Sequence, residues 1–408
     1  MKRWTSAGSR VLVAGALFCA VMSAPVIVNT ASAAPTTVAI GVDHAPPAGH
    51  DFEYTDFFPR SGVTVHTGDV VDFGWATSPD GFHTATVLKN GETPADAWTT
   101  VYPLAQPDSD DGPGQLEFNP KLGPTNPPPG SGAPGACGDA TTPCTYDGTT
   151  DQNSGPNDTA GTAHFFVTIN AAAGTTVNFV CLIHPGMVGS IGVVDNATTT
   201  STSSDIAAAA QTQADTDTAA ALAKEAAVNT SSTTTNADGT HTITMTAGTA
   251  VPYVEIVEML PNNVQITAGD TVTWATSTIA DPHTVTFPQG DDPSTEPIPL
   301  VCEGAGTTDT PLDPTAPGPP CGDPTLFETH LNPAPLGGTV IADATTVATS
   351  GIIGSPPAPF PNSYSFSFPN AGSFTYQCRI HDHMTGTVTV LAATVAATPV
   401  EATPTFTG

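Results

Sequence analysis

FTYQCRIHDHMTG, residues Phe374–Gly386, places a cysteine, two histidines and a methionine within seven positions. The chain is otherwise sparing with these residue types: seven cysteines, eleven histidines and six methionines in 408 residues. VNFVCLIHPGMVG, Val177–Gly189, repeats the Cys-x-x-His-x-x-Met spacing almost two hundred residues earlier. Alternation runs into both motifs. Phe374, Tyr376 and Cys378 share one strand face, as do Val177, Phe179 and Cys181. A period of two therefore aims each cysteine inward.

Working outward, the match extends well beyond the motifs. VTVHTGDVVDFGWATSPDGFHTATV (Val63–Val87) aligns with VQITAGDTVTWATSTIADPHTVTF (Val264–Phe287). Each has a strand, a Gly-Asp turn, a second strand and then one histidine. Upstream, FEYTDFFP resembles VEIVEMLP. His83 precedes Cys181 by 98 residues and His283 precedes Cys378 by 95. The near-equal separations point to a duplicated domain. Short alternating strands, turn formers and little helix predict β-sandwiches. The boundaries are a first domain over 34–195, a linker over 196–240, a second domain over 241–392 and a disordered tail over 393–408. The linker is rich in Ala, Thr and Ser. It is read as flexible, with helix-forming composition over Asp205–Ala227.

At 11% charged residues, eight Lys+Arg stand against 38 Asp+Glu, for a net charge of −30. Such a surface repels nucleic acid and anionic lipid, and an electrostatically steered partner would be basic. Lys2, Arg3 and Arg10 precede the short apolar run Val11–Met22, and Ala31-Ser32-Ala33 follows. This reads as a signal peptide over 1–33, with export to the cell envelope or exterior and no stable membrane span in the mature chain. In an exported chain, the paired cysteines Cys137/Cys144 and Cys302/Cys321 read as two local disulfides.

A Cys, a His three residues on, a Met three further and a His from a neighbouring strand can converge on one ion. Two imidazoles, a thiolate and a weak thioether make the blue-copper donor set. Both units resemble cupredoxins, the plastocyanin/amicyanin family of type 1 copper proteins, with the short amicyanin-like ligand loop. The resemblance implies an all-β chain of two cupredoxin-like Greek-key β-sandwich domains. It implies copper ligands His83, Cys181, His184 and Met187 in the first, and His283, Cys378, His381 and Met384 in the second. It also implies two type 1 copper ions, outer-sphere electron transfer with a redox partner protein, and an electron path through the exposed edges of His184 and His381. Copper storage or delivery, or a surface-binding module, is the alternative. A multicopper oxidase or copper nitrite reductase would need a histidine flanking the cysteine and His-x-His pairs. Val180, Leu182, Gln377 and Arg379 occupy the flanks instead, so no catalytic residue is assigned.

Overall fold

Alternation in the sequence becomes alternation in burial. Val70–Trp75, Val188–Val194 and Thr385–Leu391 each bury every second residue, so each strand has a core face and an outer face. The protein is described by a computed structural model covering residues 35–393 apart from 76–81, 103–104, 108–115, 158–162, 291–299, 303–309, 312–326, 330–333, 355–359 and 382. These residues belong to one compact unit, Pro35–Gly408. The expected signal peptide, most of the expected tail and Cys321 lie outside the described residues, as does the side chain of Cys302.

Each repeat is a two-sheet sandwich. In the first, one sheet runs Phe57–Phe58, Thr37–Val42, Val70–Trp75, His164–Ile169, Cys144–Tyr146. The facing sheet runs Gln152–Asn153, Thr86–Val87, Thr176–Val180, Val188–Val194, Val63–His66. The second repeat reproduces the key pairings. His241–Val251 lies parallel to Thr271–Ser277, as Thr37–Val42 does to Val70–Trp75. Asn263–Thr267 lies parallel to Thr385–Leu391, as Val63–His66 does to Val188–Val194. The cores are aromatic. Phe73 packs edge-on against Phe57 and Phe179, and Trp274 does so against Phe287, Phe366 and Tyr376. Cys137 and Cys144 form the expected disulfide.

The two sandwiches are joined by strand pairing. Phe52–Glu53 of the first repeat adds an edge strand to the second repeat's sheet, antiparallel to Val254–Leu260. Phe52 faces Ile256, and Glu53 faces Glu255. These are the segments whose sequences match, FEYTDFFP and VEIVEMLP. Equivalent glutamates therefore stand opposite each other across a local twofold.

The expected flexible linker is instead largely a packed helix. Two α-helices are present among the described residues, α1 (Pro94–Val101) and α2 (Ser203–Val228). α2 has 26 residues, starts at the N-cap Thr202 and carries Asp205 in its first turn. Ile206, Ala214, Asp217 and Ala221 are buried. Ala214 and Ala221 enter a cluster with Phe52, Tyr54, Phe58, Val254, Ile256 and Leu260, drawn from both repeats. Polar contacts fix the helix to the first repeat. Arg60 bridges Asp56 and Asp217 at 2.7 Å each, Tyr54 meets Thr218 at 2.6 Å, and His50 meets Glu225 at 2.6 Å. After α2, Ser232–Thr235 already pairs with the second repeat's sheet. Small side chains at Ala214 and Ala221 permit close helix-to-sheet approach there, while most of the other alanines of the helix are exposed. No helix among the described residues is long and apolar enough to cross a membrane.

Ala221 has no room to grow. Ala221→Leu should cost about 1–3 kcal/mol by overpacking, while Ala209→Leu on the exposed face should be near neutral. Denaturant unfolding of both variants checks this, and equal midpoints would contradict the packed position of α2.

Candidate metal centres

Each cysteine sits one residue past the end of a strand. Cys181 follows Thr176–Val180 and Cys378 follows Gly372–Gln377. The chain then turns back on itself. Cys181 N–H donates to Met187 O at 3.1 Å, and Cys378 N–H donates to Met384 O at 2.8 Å. This turn brings the His three residues on over the cysteine sulfur, and both methionine side chains are buried in the sandwich cores. The upstream histidine arrives from the neighbouring strand region, and the residue after it binds the sulfur. Thr84 N–H donates to Cys181 Sγ at 3.4 Å, and Thr284 N–H to Cys378 Sγ at 3.3 Å. Ile183 N–H and Ile380 N–H add a second donor to each sulfur at 3.4 Å. The hydroxyls of Thr84 and Thr284 accept from Leu182 N–H and Arg379 N–H, locking loop to strand.

In the first site Cys181 Sγ lies 3.9 Å from His83 Nδ1 and 3.7 Å from His184 Nδ1, and the two Nδ1 atoms are 2.9 Å apart. In the second, Cys378 Sγ lies 3.8 Å from His381 Nδ1, and His283 Nδ1 is 3.1 Å from His381 Nδ1. Metal bonds of about 2.0 Å to nitrogen and 2.3 Å to sulfur place trigonal donors roughly 3.5–3.7 Å apart. The two sets fit one ion each, the nitrogens closing slightly inward. Three His/Cys donors converge in each repeat.

The donors are electrostatically ready for a cation. Burial pushes the Cys181 thiol up, but hydrogen bonds from His184 and His83 outweigh it and hold the pKa well below the usual thiol value. Cys378 behaves likewise, burial being overridden by His283 and His381. Thiolate is the metal-binding form. Burial alone would neutralise His184, yet Asp281 and Cys181 hold its pKa well above the ordinary value. His283 goes the other way: burial dominates and lowers it.

The far edges of these rings lie where the sequence did not place them. His184 and His381 are not exposed ports: they retain 5% and 6% of their surface. They are turned into the junction between the repeats, where buried carboxylates collect. Glu53 Oε1 lies 3.6 Å from His83 Nε2 and 3.7 Å from His184 Nε2, and its Oε2 lies 3.9 Å from His381 Nε2. Asp281 of the second repeat reaches His184 Nε2 of the first at 3.2 Å. Asp43 Oδ2 stands 3.8 Å from His83 Nε2. Glu255 accepts from Ile279 and Ala280 N–H at 2.9 and 2.7 Å, holding the loop that carries Asp281. Burial, then Asp281 and Asp43, push Glu53 well above the usual carboxylate range. Burial and Asp281 push Glu255 up to about 8. Asp281 itself is held low: the His184 hydrogen bond and the surrounding imidazoles overcome burial.

Neither Glu53 nor Asp281 was singled out from sequence. One signal was present: the FEYTDFFP/VEIVEMLP match puts Glu53 and Glu255 at equivalent positions. α1 adds a further cap. Trp98 of α1 donates to Cys181 O at 2.8 Å, and Tyr102, just past the helix, donates to Ile183 O, so this helix clamps the first ligand loop. His383, beside Met384, adopts a left-handed backbone conformation, as does Gly186 at the equivalent place beside Met187. Away from these centres, His50 gathers with Glu225 and Glu258.

No family model matches the chain, and no curated protein matches it. Solved structures similar to it are cupredoxins. Reduced auracyanin from the photosynthetic bacterium Roseiflexus castenholzii is 19% identical over 40% of this chain and 100% of its own, with a TM-score of 0.23. Plastocyanin from Dryopteris crassirhizoma is 15% identical over 36% of this chain and 99% of its own, with a TM-score of 0.19. A Cu(I) amicyanin variant is 17% identical over 36% and 80%, with a TM-score of 0.18.

Glu255, buried and raised to about 8, favours folding while protonated. Its contribution is complete below the unfolded value and is lost as pH rises through about 8. Glu255→Gln keeps the acceptor for Ile279 and Ala280 but cannot ionise. The metal-free variant should therefore gain Tm relative to the parent as pH rises from about 5 to 8. Parallel Tm curves would contradict the assignment.

Proposed function

We propose that this chain is an exported copper protein with two type 1 sites, one per repeat, which exchanges electrons with a partner protein. The observation that carries the reading is the twice-repeated convergence of two histidine Nδ1 atoms and a cysteine sulfur, with a methionine tied back to that cysteine. Copper bound there would supply one-electron chemistry between Cu(I) and Cu(II), which the mixed imidazole and sulfur donors suit. His83, Cys181, His184 and Met187 would hold the first ion, and His283, Cys378, His381 and Met384 the second. Their burial excludes water, and the backbone donors to each sulfur keep its position fixed. A site with four protein ligands leaves no open position for substrate, so the reading is a carrier and not an enzyme. The Cys137–Cys144 disulfide supports export. The net charge of −30 suits a partner with a basic patch. Structural zinc would more often draw on further Cys or His ligands.

Adding Cu(II) to the metal-free protein should produce an intense blue thiolate-to-copper band with two coppers per chain. Cys181→Ser and Cys378→Ser should each remove one copper and about half the band, reading one site at a time. A colourless protein, or weak tetragonal copper, would overturn the proposal.

A further inference from the structure

The local twofold that relates the repeats breaks down at the metal sites. Three carboxylates face the imidazole edges of the first site: Asp43 at 3.8 Å from His83, Glu53 at 3.6 and 3.7 Å from His83 and His184, and Asp281 at 3.2 Å from His184. Around the second site, Glu53 approaches His381 at 3.9 Å. The His283 edge meets backbone instead. A Cβ on Gly248 would lie 1.9 Å from His283 Nε2. Counting along the matched strands from Thr37 and Thr242, Gly248 occupies the place of Asp43. Asp281 likewise aligns in sequence with Gly81. Each repeat thus has a glycine where the other has an aspartate, and both aspartates pair with imidazoles of the first site, Asp281 also acting through its charge on His381 and His283 of the second.

The buried polar atoms bear the same signature. Asp43 Oδ2 and Asp281 Oδ2 are enclosed with no hydrogen-bond partner, and so are the Nε2 atoms of His83 and His283, but the two aspartate oxygens stand on the side of the first site. Such orphaned atoms are costly unless a charge nearby compensates them. A carboxylate behind a metal-bound imidazole makes the ring a stronger donor and fixes its orientation. In a buried setting it also favours the more highly charged ion.

Resting on the metal-binding reading above, we propose that the two sites are unequal and linked across the domain junction. Asp281, supplied by the second repeat, is a positioning residue of the first repeat's site, and the first site holds a divalent ion more tightly than the second. For a one-electron couple, each tenfold preference for the divalent over the monovalent ion lowers the potential by about 59 mV. An electron shared between the sites would then rest on the second.

Co(II) is the probe, because its thiolate charge-transfer band reports each site without reference to redox activity. Full-length Cys378→Ser isolates the first site and Cys181→Ser the second. The first should bind Co(II) roughly tenfold or more tightly than the second. Asp281→Asn should weaken the first site by about 10–100-fold while moving the second, on its own repeat, far less. Asp281→Glu should restore part of the loss. Asp43→Asn should also weaken only the first site, and it gives an independent reading should Asp281→Asn fold poorly. Equal affinities, or an Asp281→Asn effect confined to the second site, would overturn the inference while leaving the metal reading intact. No thiolate band in the unsubstituted protein would overturn both.

Discussion

Glu53 reaches three of the four imidazoles, and the rest of the arrangement depends on how that buried carboxylate is accommodated. A buried carboxyl must keep its proton or find partners, and burial with Asp281 and Asp43 beside it pushes Glu53 toward the protonated form. Here the partners come from both repeats: His83 and His184 on one side, His381 on the other. Glu53 can stand there only because Phe52–Glu53 completes the second repeat's sheet, opposite Ile256 and Glu255. The backbone pairing, the apolar cluster under α2 and the carboxylate–imidazole contacts are therefore one junction. Separating the repeats would leave charges on each side without partners.

This junction changes what a duplicated single-site fold can do. With the ring edges of His184 and His381 buried against the neighbouring repeat, those edges face each other's site and not solvent. The duplication supplies matching strands, a matching glutamate and matching ligand loops. Divergence at two glycine/aspartate positions then gives the sites different surroundings. α1 adds a further difference by clamping the first ligand loop through Trp98 and Tyr102.

Much of this was legible in the residues. The strand alternation before Cys181 and Cys378 placed both sulfurs correctly, because a period of two depends only on local backbone geometry. His83 and His283 were legible because the repeat supplies two aligned copies. The helix over 203–228 was visible as composition, but not its packing. Alanine content reports helix propensity and says nothing of which sheet will lie against it. Asp281 was the hardest to read. It stands two residues before His283, yet its contact is His184 of the other repeat, and no local pattern encodes what packs across a junction. The exposed histidine edges were wrongly expected for the same reason: the expectation belongs to a lone domain.

The most direct test of a shared junction is the magnetic interaction between two Cu(II) ions in the fully loaded, oxidised protein. Electron paramagnetic resonance of the unsubstituted chain should show dipolar broadening absent from Cys181→Ser and Cys378→Ser, each of which keeps one site. A spectrum equal to the sum of the two single-site spectra would mean that the sites do not face one another, and would contradict the account.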